Sequence, residues 1–300
     1  MAPHRPRLFS IPPGASFLDA LADALIDGTL VGDIGWTNDP LAVAGATIYL
    51  PTRRAARAFK AALAARAHRP MILPRVVPLG DANEAELHLI GDGDFATEAA
   101  SAAPAATPAA RLVFLADLVM RWRKQLELAI TPSAPDHHGL IAESPAEAFG
   151  LANDLAGVLD MLTIEGVKAE QLSEATPGEH DEYWRISREF LKIATDVWPL
   201  YLATQGLSDP VERNVAVLRE RARQIAEKRA AGPFIAAGST GTNPATADLI
   251  AAIARHPRGA VVLPGLDLIS SDASFASVID DADPHPGHPQ TALARLMLRL

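Results

Sequence analysis

The residues able to do chemistry cluster where short apolar runs give way to helical patterns. The first such junction is Pro12-Pro13-Gly14-Ala15-Ser16, where a nucleoside triphosphatase places its phosphate loop. A working loop needs glycines for close backbone approach, a lysine for the β/γ-phosphates and a hydroxyl for magnesium. Here one glycine remains, the lysine is missing, and Ser16 suits a magnesium-ligand position and a helix cap equally well. The segment therefore reads as a degenerate nucleotide loop. The second junction is Leu50-Pro51-Thr52-Arg53-Arg54-Ala55-Ala56-Arg57. Thr52 and the first helical N–H groups can bind a phosphate oxygen, while Arg53, Arg54 and Arg57 supply charge-assisted bonds. The alternative is a solvated helix face whose charges serve solubility. The third is Gly238-Ser239-Thr240-Gly241-Thr242-Asn243, with two glycines and three hydroxyl side chains after an apolar run. It reads as a ligand-facing loop at the carboxyl edge of a sheet or as a tight turn capping the next helix.

Charge is unevenly spread. The chain has 27 Lys+Arg and 36 Asp+Glu, so 27 − 36 = −9. Residues 51–80 nevertheless carry Arg53, Arg54, Arg57, Lys60, Arg66, Arg69 and Arg75 with no acid, and 81–100 carry Asp81, Glu84, Glu86, Asp92, Asp94 and Glu98 with no base. A net acidic chain argues against broad coating of duplex DNA but leaves room for a localised groove for one strand.

Other chemistries find less support. With no cysteine, thiol catalysis, disulfides, Cys-ligated zinc and an iron–sulfur cluster are excluded from this segment. His137, His138, His285 and His288 lack metal-ligand spacing. Asp267 follows an apolar run, as a magnesium carboxylate would, but Pro264-Gly265 intervene and no second acid adjoins it. No nucleophile elbow is present. Apolar residues make up 49% of the chain, too many for intrinsic disorder, yet no run is long enough to span a bilayer. The basic start is broken by Pro12, Pro13 and Gly14 before a secretory core could form. These features predict a soluble cytoplasmic protein.

Positioning these junctions requires strands at 7–11, 46–50, 234–237 and 260–263, with 72–77 as an edge or irregular stretch because of Pro74. Each is a continuous apolar run, suited to a parallel sheet covered on both faces. Ser16, Thr52, Thr107, Ser144, Asp209 and Asn243 stand where helix caps belong, four of them before a proline. Between 108 and 231 no strand is predicted. Leu112, Leu115, Val119, Trp122 and Leu126, then Leu151, Leu155, Val158 and Leu162, then Ile186, Phe190, Ile193 and Val197 form amphipathic faces of a bundle. The expected architecture is α/β: 1–107 begin a parallel-sheet domain, 108–231 form an all-α insertion, and 232–300 return to the sheet. The apolar periodicity of 289–300 has no stop signal, which predicts further protein beyond Leu300.

Taken in order, Phe9-Ser10-Ile11-Pro12-Pro13-Gly14, Leu50-Pro51-Thr52-Arg53-Arg54, Leu73-Pro74-Arg75 with Pro78-Leu79-Gly80-Asp81, Ala236-Ala237-Gly238-Ser239-Thr240-Gly241, and Val261-Val262-Leu263-Pro264-Gly265-Leu266-Asp267 resemble the amino-terminal part of the AddB family of double-strand break repair proteins, in its alphaproteobacterial form. The likeness spans nearly the whole chain. It implies a superfamily-1 helicase-like fold, with a RecA-like (P-loop NTPase-like) domain interrupted by helices. It also implies a heterodimer with the AddA motor-nuclease subunit, acting on broken-end and single-stranded DNA as an ATP-dependent helicase–nuclease. In that likeness 12–16 are the degenerate nucleotide loop, the Thr52-Arg53-Arg54 stretch contacts strand backbone, and the Ser239-Thr240 turn has no assigned role. ATP and Mg2+ belong to the partner motor. The nuclease carboxylates and an iron–sulfur cluster belong to a carboxy-terminal region outside these residues. No catalytic or metal-binding residue is expected here. The competing readings are an active DNA-stimulated ATPase and a scaffold that only docks proteins.

Overall fold

In the computed structural model, five strands lie side by side, all parallel, in the order β1-β5-β4-β2-β3. They are β1 (Leu8–Ile11), β2 (Thr47–Leu50), β3 (Arg75–Pro78), β4 (Phe234–Ala237) and β5 (Gly259–Pro264). The structure describes residues 5–32, 34–35, 40–67, 70–80, 103–129, 144–168, 171, 181–227, 231–279, 285 and 287–300. The acidic stretch at 81–100 and His137-His138 lie outside them. The helices of the described residues are α1 (Phe17–Ile26), α2 (Pro40–Ala44), α3 (Arg53–Arg66), α4 (Pro108–Ala129), α5 (Pro145–Glu165), α6 (Asp181–Gln205), α7 (Pro210–Ala226), α8 (Pro244–Arg255), α9 (Asp272–Ser277) and α10 (Thr291–Met297). No helix among the described residues is long and apolar enough to cross a membrane.

Alternation along each strand sends side chains to two buried faces. Ile48, Leu50, Ile235, Ala237, Ala260 and Val262 meet Leu21 and Leu25 of α1 and Phe59 and Leu63 of α3. The intervening residues Tyr49, Phe234, Ala236, Val261 and Leu263 are also buried. Phe234 meets the ring of His256, which caps α8, and α8 packs on β4 and β5. Gly259 is required where α8 turns into β5, because a Cβ there would lie 1.8 Å from the Ile253 carbonyl oxygen. β3 is an edge strand, as Pro74 demands, but it starts after that proline, with Arg75 opposite Thr47.

The chain divides into two units, Met1–Ala100 with Ala216–Leu300 and Ser101–Val215. The second of these units ends inside α7, at Val215. Leu218, Arg221, Ala222 and Ile225 are buried, and Arg221 donates from Nε to the Tyr49 hydroxyl (3.2 Å) with its guanidinium 5.2 Å from the Phe234 ring. The end of α7 thus belongs to the sheet unit.

The second unit is helical, and among its described residues the strand-like pairing is the isolated bridge Ala105–Ser208. Its caps are in place. Thr107 accepts from the Ala110 amide, Ser144 and Glu147 form a reciprocal capping box, and Asp209 accepts from the Val211 and Glu212 amides. Leu115, Leu118 and Val119 of α4 pack with Ala148, Ala152, Leu155 and Leu159 of α5 and Ala194 of α6. This corrects the expected face of α5, since Leu151 and Val158 are exposed and the two alanines take their place. Small side chains let the helices approach closely, and the packing follows them rather than the largest apolar residues. Leu126, Ile186 and Ile193 lie outside the described side chains.

At the centre of this unit Arg111 is buried. It lies 2.5 Å from Asp160 and 3.7 Å from Asp209, with its guanidinium 5.7 Å from the Trp198 ring, while Asp209 also accepts from the Trp198 indole (2.8 Å). Removing one partner of a buried pair leaves the other charge uncompensated. Arg111→Ala should therefore destabilise the helical unit by about 3–5 kcal/mol in urea unfolding. A loss below about 1 kcal/mol, the range of exposed pairs, would contradict it.

Candidate functional site

Because all five strands run in one direction, the turns after β1, β2, β4 and β5 share one edge of the sheet. After β1, Pro12 and Pro13 offer no N–H, and the Ala15 amide donates to the Pro12 carbonyl (3.3 Å). Within 12–16 this leaves the Gly14 and Ser16 amides to face a ligand. Gly14 has φ +91°, and residues 12–16 are exposed. Ser16 stands at the helix cap position, yet its side chain makes no cap bond. Its hydroxyl donates to Asp19 (2.5 Å).

Asp19 in turn pairs with Arg66 of α3 (2.8 Å), whose Nε also bonds Asp23 (2.6 Å). The Ser16 hydrogen bond first, and the Arg66 charge after it, hold the Asp19 carboxyl below its ordinary value of 3.8. Arg66 is therefore an α1–α3 clamp rather than part of a ligand-facing basic patch.

After β2, Thr52 is extended (φ −137°, ψ 159°), and its Oγ1 accepts from the Ala55 amide (3.1 Å). Thr52, Arg54 and Arg57 are exposed, whereas Arg53 is half-buried. Arg54 and Arg57 sit one turn apart on α3, with exposed Lys60 a further turn along. Here the cationic side chains and the first turn of a fourteen-residue helix project from the same edge.

The turn after β4 lies beside the start of α1 and the residue that follows β2. Gly238 (φ +73°) donates to the Val262 carbonyl. A Cβ on it would lie 3.1 Å from the Phe17 ring, which opens α1, and 3.7 Å from Cδ of Pro51, which leads to Thr52. Ser239 accepts from the Gly241 amide (3.3 Å), and Asn243 caps α8 through the Thr246 amide (2.8 Å). Ser239 and Thr240 are half-buried. The helix cap at Asn243 is present, and the hydroxyl side chains of Ser239 and Thr240 precede it. The helix after β2 packs on one face of the sheet and the helix after β4 on the other, so these neighbouring strands send their helices apart, the arrangement at which open α/β sheets bind ligands.

After β5, Gly265 donates to the Ile11 carbonyl (2.8 Å), and Pro13 packs against it. Asp267 accepts from the Ile269 and Ser270 amides and from the Ser270 hydroxyl (2.5 Å). That hydroxyl is the main cause of its lowered pKa. The carboxylate closes its own turn, which leaves it poorly suited to a metal. Gln290 ties this loop down, accepting from the Asp267 amide and donating to the Gly265 carbonyl. A cavity of about 510 Å³ lies here, lined by Ser10, Pro12, Pro13, Leu268, Ile269 and Gln290 among others. Leu268, Ile269 and Gln290 escape sequence reading, and their one trace is an apolar pair set between Asp267 and two serines. No group of three or more His, Asp or Glu able to hold a metal occurs among the described residues. His288 accepts from the Gln290 amide instead.

Compared with known protein families and with curated proteins, the chain matches none.

The Asp19 clamp sets a pH dependence. A carboxyl held below its ordinary value adds stability that is complete above that value and fades as pH falls through the folded-state value. Asp19→Asn should therefore be less stable than the parent at pH 7, with the gap closing below the ordinary carboxylate range. Urea midpoints at both pH values check this, and a gap independent of pH would refute it.

Proposed function

We propose that the sheet unit holds the sugar–phosphate backbone of single-stranded DNA at its carboxyl edge and does no nucleotide chemistry of its own. In this reading the unit is RecA-like and helicase-like, and Ser101–Val215 is its helical insertion. The reading rests on one observation. The Gly238 turn lies beside Phe17, the first residue of α1 after the 12–16 loop, and beside Pro51, which leads into the exposed Thr52, Arg54 and Arg57.

A triphosphate needs converging amides and a lysine, which the first loop lacks. A strand needs separated cations and hydroxyls along a path. Thr52, Arg54 and Arg57, with Ser239 and Thr240 on the neighbouring turn, are of that kind, and Arg53 supports them from a half-buried position. The order of motifs along the chain supports the further step, that this is the amino-terminal part of an AddB-like subunit. Its AddA-like partner would supply ATP hydrolysis with Mg2+, and the two would resect broken DNA ends for recombinational repair. The chain segment is then a guide rather than a catalyst.

Arg54→Ala with Arg57→Ala should weaken binding of an oligothymidine. The slope of log K against log salt should fall by about 0.7 for each phosphate no longer neutralised. Unchanged affinity and slope in a titration from low to physiological salt would reject the reading.

A further inference from the structure

Helix α5 carries a second stripe, apolar at Leu151, Val158 and Met161 and acidic at Glu147, Asp154 and Glu165, turned away from the bundle core. Glu147, Leu151, Asp154, Val158, Met161 and Glu165 follow one another at steps of four, three, four, three and four, so they share one stripe. The core-facing residues Ala148, Ala152, Leu155 and Leu159 form a different stripe. On the outer seam Leu151 is 41% exposed, Val158 42% and Met161 67%, and Asp154 and Glu165 are exposed as well. Single exposed apolar residues are ordinary on any protein. Three at heptad spacing on one face make a surface that another helix fits.

Charge decides which helix. α5 holds four acids, Glu147, Asp154, Asp160 and Glu165, and no Lys or Arg. Asp160 is paired with Arg111, which leaves the outer seam uniformly negative. A second copy of this chain fits poorly. Parallel pairing would set every seam acid against itself, and antiparallel pairing would set Glu147 against Glu165. Like charges across a helical interface oppose association. We propose that this face of α5 docks an amphipathic helix of another protein, with aliphatic residues at heptad spacing and Lys or Arg opposite Asp154 and Glu165. This goes beyond the strand-binding reading and stands independently of it, since none of the residues involved lies in the sheet unit.

The test uses the 300-residue chain and a fluorescent leucine–lysine amphipathic peptide of the same length as α5. Anisotropy should report binding. Leu151→Ser with Met161→Ser, both exposed, should keep the parent circular dichroism spectrum and weaken binding about tenfold or more. Asp154→Lys with Glu165→Lys should abolish it and admit a leucine–glutamate peptide instead. Asp196→Lys with Glu212→Lys makes the same change of net charge at exposed positions outside the seam and should leave affinity nearly unchanged. The proposal is overturned by an equal loss in this control, by failure of the peptide to bind, or by self-association of the chain that Leu151→Ser with Met161→Ser abolishes. Binding by the Arg54→Ala, Arg57→Ala chain should match the parent, which keeps this outcome separate from that of the strand-binding test.

Discussion

A parallel ladder imposes a geometric constraint: each strand must return to the same starting side before the next begins, so every strand-to-helix turn leaves from one edge. In this protein both faces of the ladder are buried, one by α1 and α3 and the other with α8. Each buried Leu, Ile or Phe on those faces contributes roughly 1.5–3 kcal/mol, which makes the faces the stabilising part and closes them to ligands. Loops after β1, β2, β4 and β5 are what remains, and Gly238 lies close to the start of α1 and to Pro51.

Within that edge, small chemical differences separate two neighbouring turns. The turn after β1 has prolines where a phosphate loop needs amides, and Ser16 is committed to Asp19. The turn after β2 caps its helix with Thr52 and presents exposed Thr52, Arg54 and Arg57. One basic tract thus has two fates. Arg66, at the far end of α3, joins that helix to α1 through Asp19 and Asp23, while Arg54 and Arg57 at the near end remain exposed. Burial and partner, not net charge, distinguish a structural arginine from one available to a ligand.

Much of the sheet unit is legible in the sequence because its signals are local. Continuous apolar runs mark four strands to within a residue or two, and capping side chains at Thr52, Thr107, Ser144, Asp209 and Asn243 bond the amides expected of them. What escapes depends on distant partners. Nothing in the sequence marks Arg111 and Arg221, which Asp160 with Asp209, and Tyr49 with Phe234, draw inside. The largest apolar residues of α5 point to one face, whereas packing follows Ala148 and Ala152 and leaves Leu151 and Val158 outside. Of the candidate site, the three junctions can be named from sequence. The approach of Gly238 to Phe17 and Pro51, the Ser16–Asp19–Arg66 chain and the Gln290 tie cannot, because each joins residues far apart in the chain.

Amide hydrogen exchange with and without saturating oligothymidine tests the central claim most directly, because it locates a bound strand without altering the protein. Slower exchange confined to residues 53–56 and 238–242 is the predicted result. Saturated binding with those turns unprotected, or with protection confined to Ser101–Val215, would contradict it.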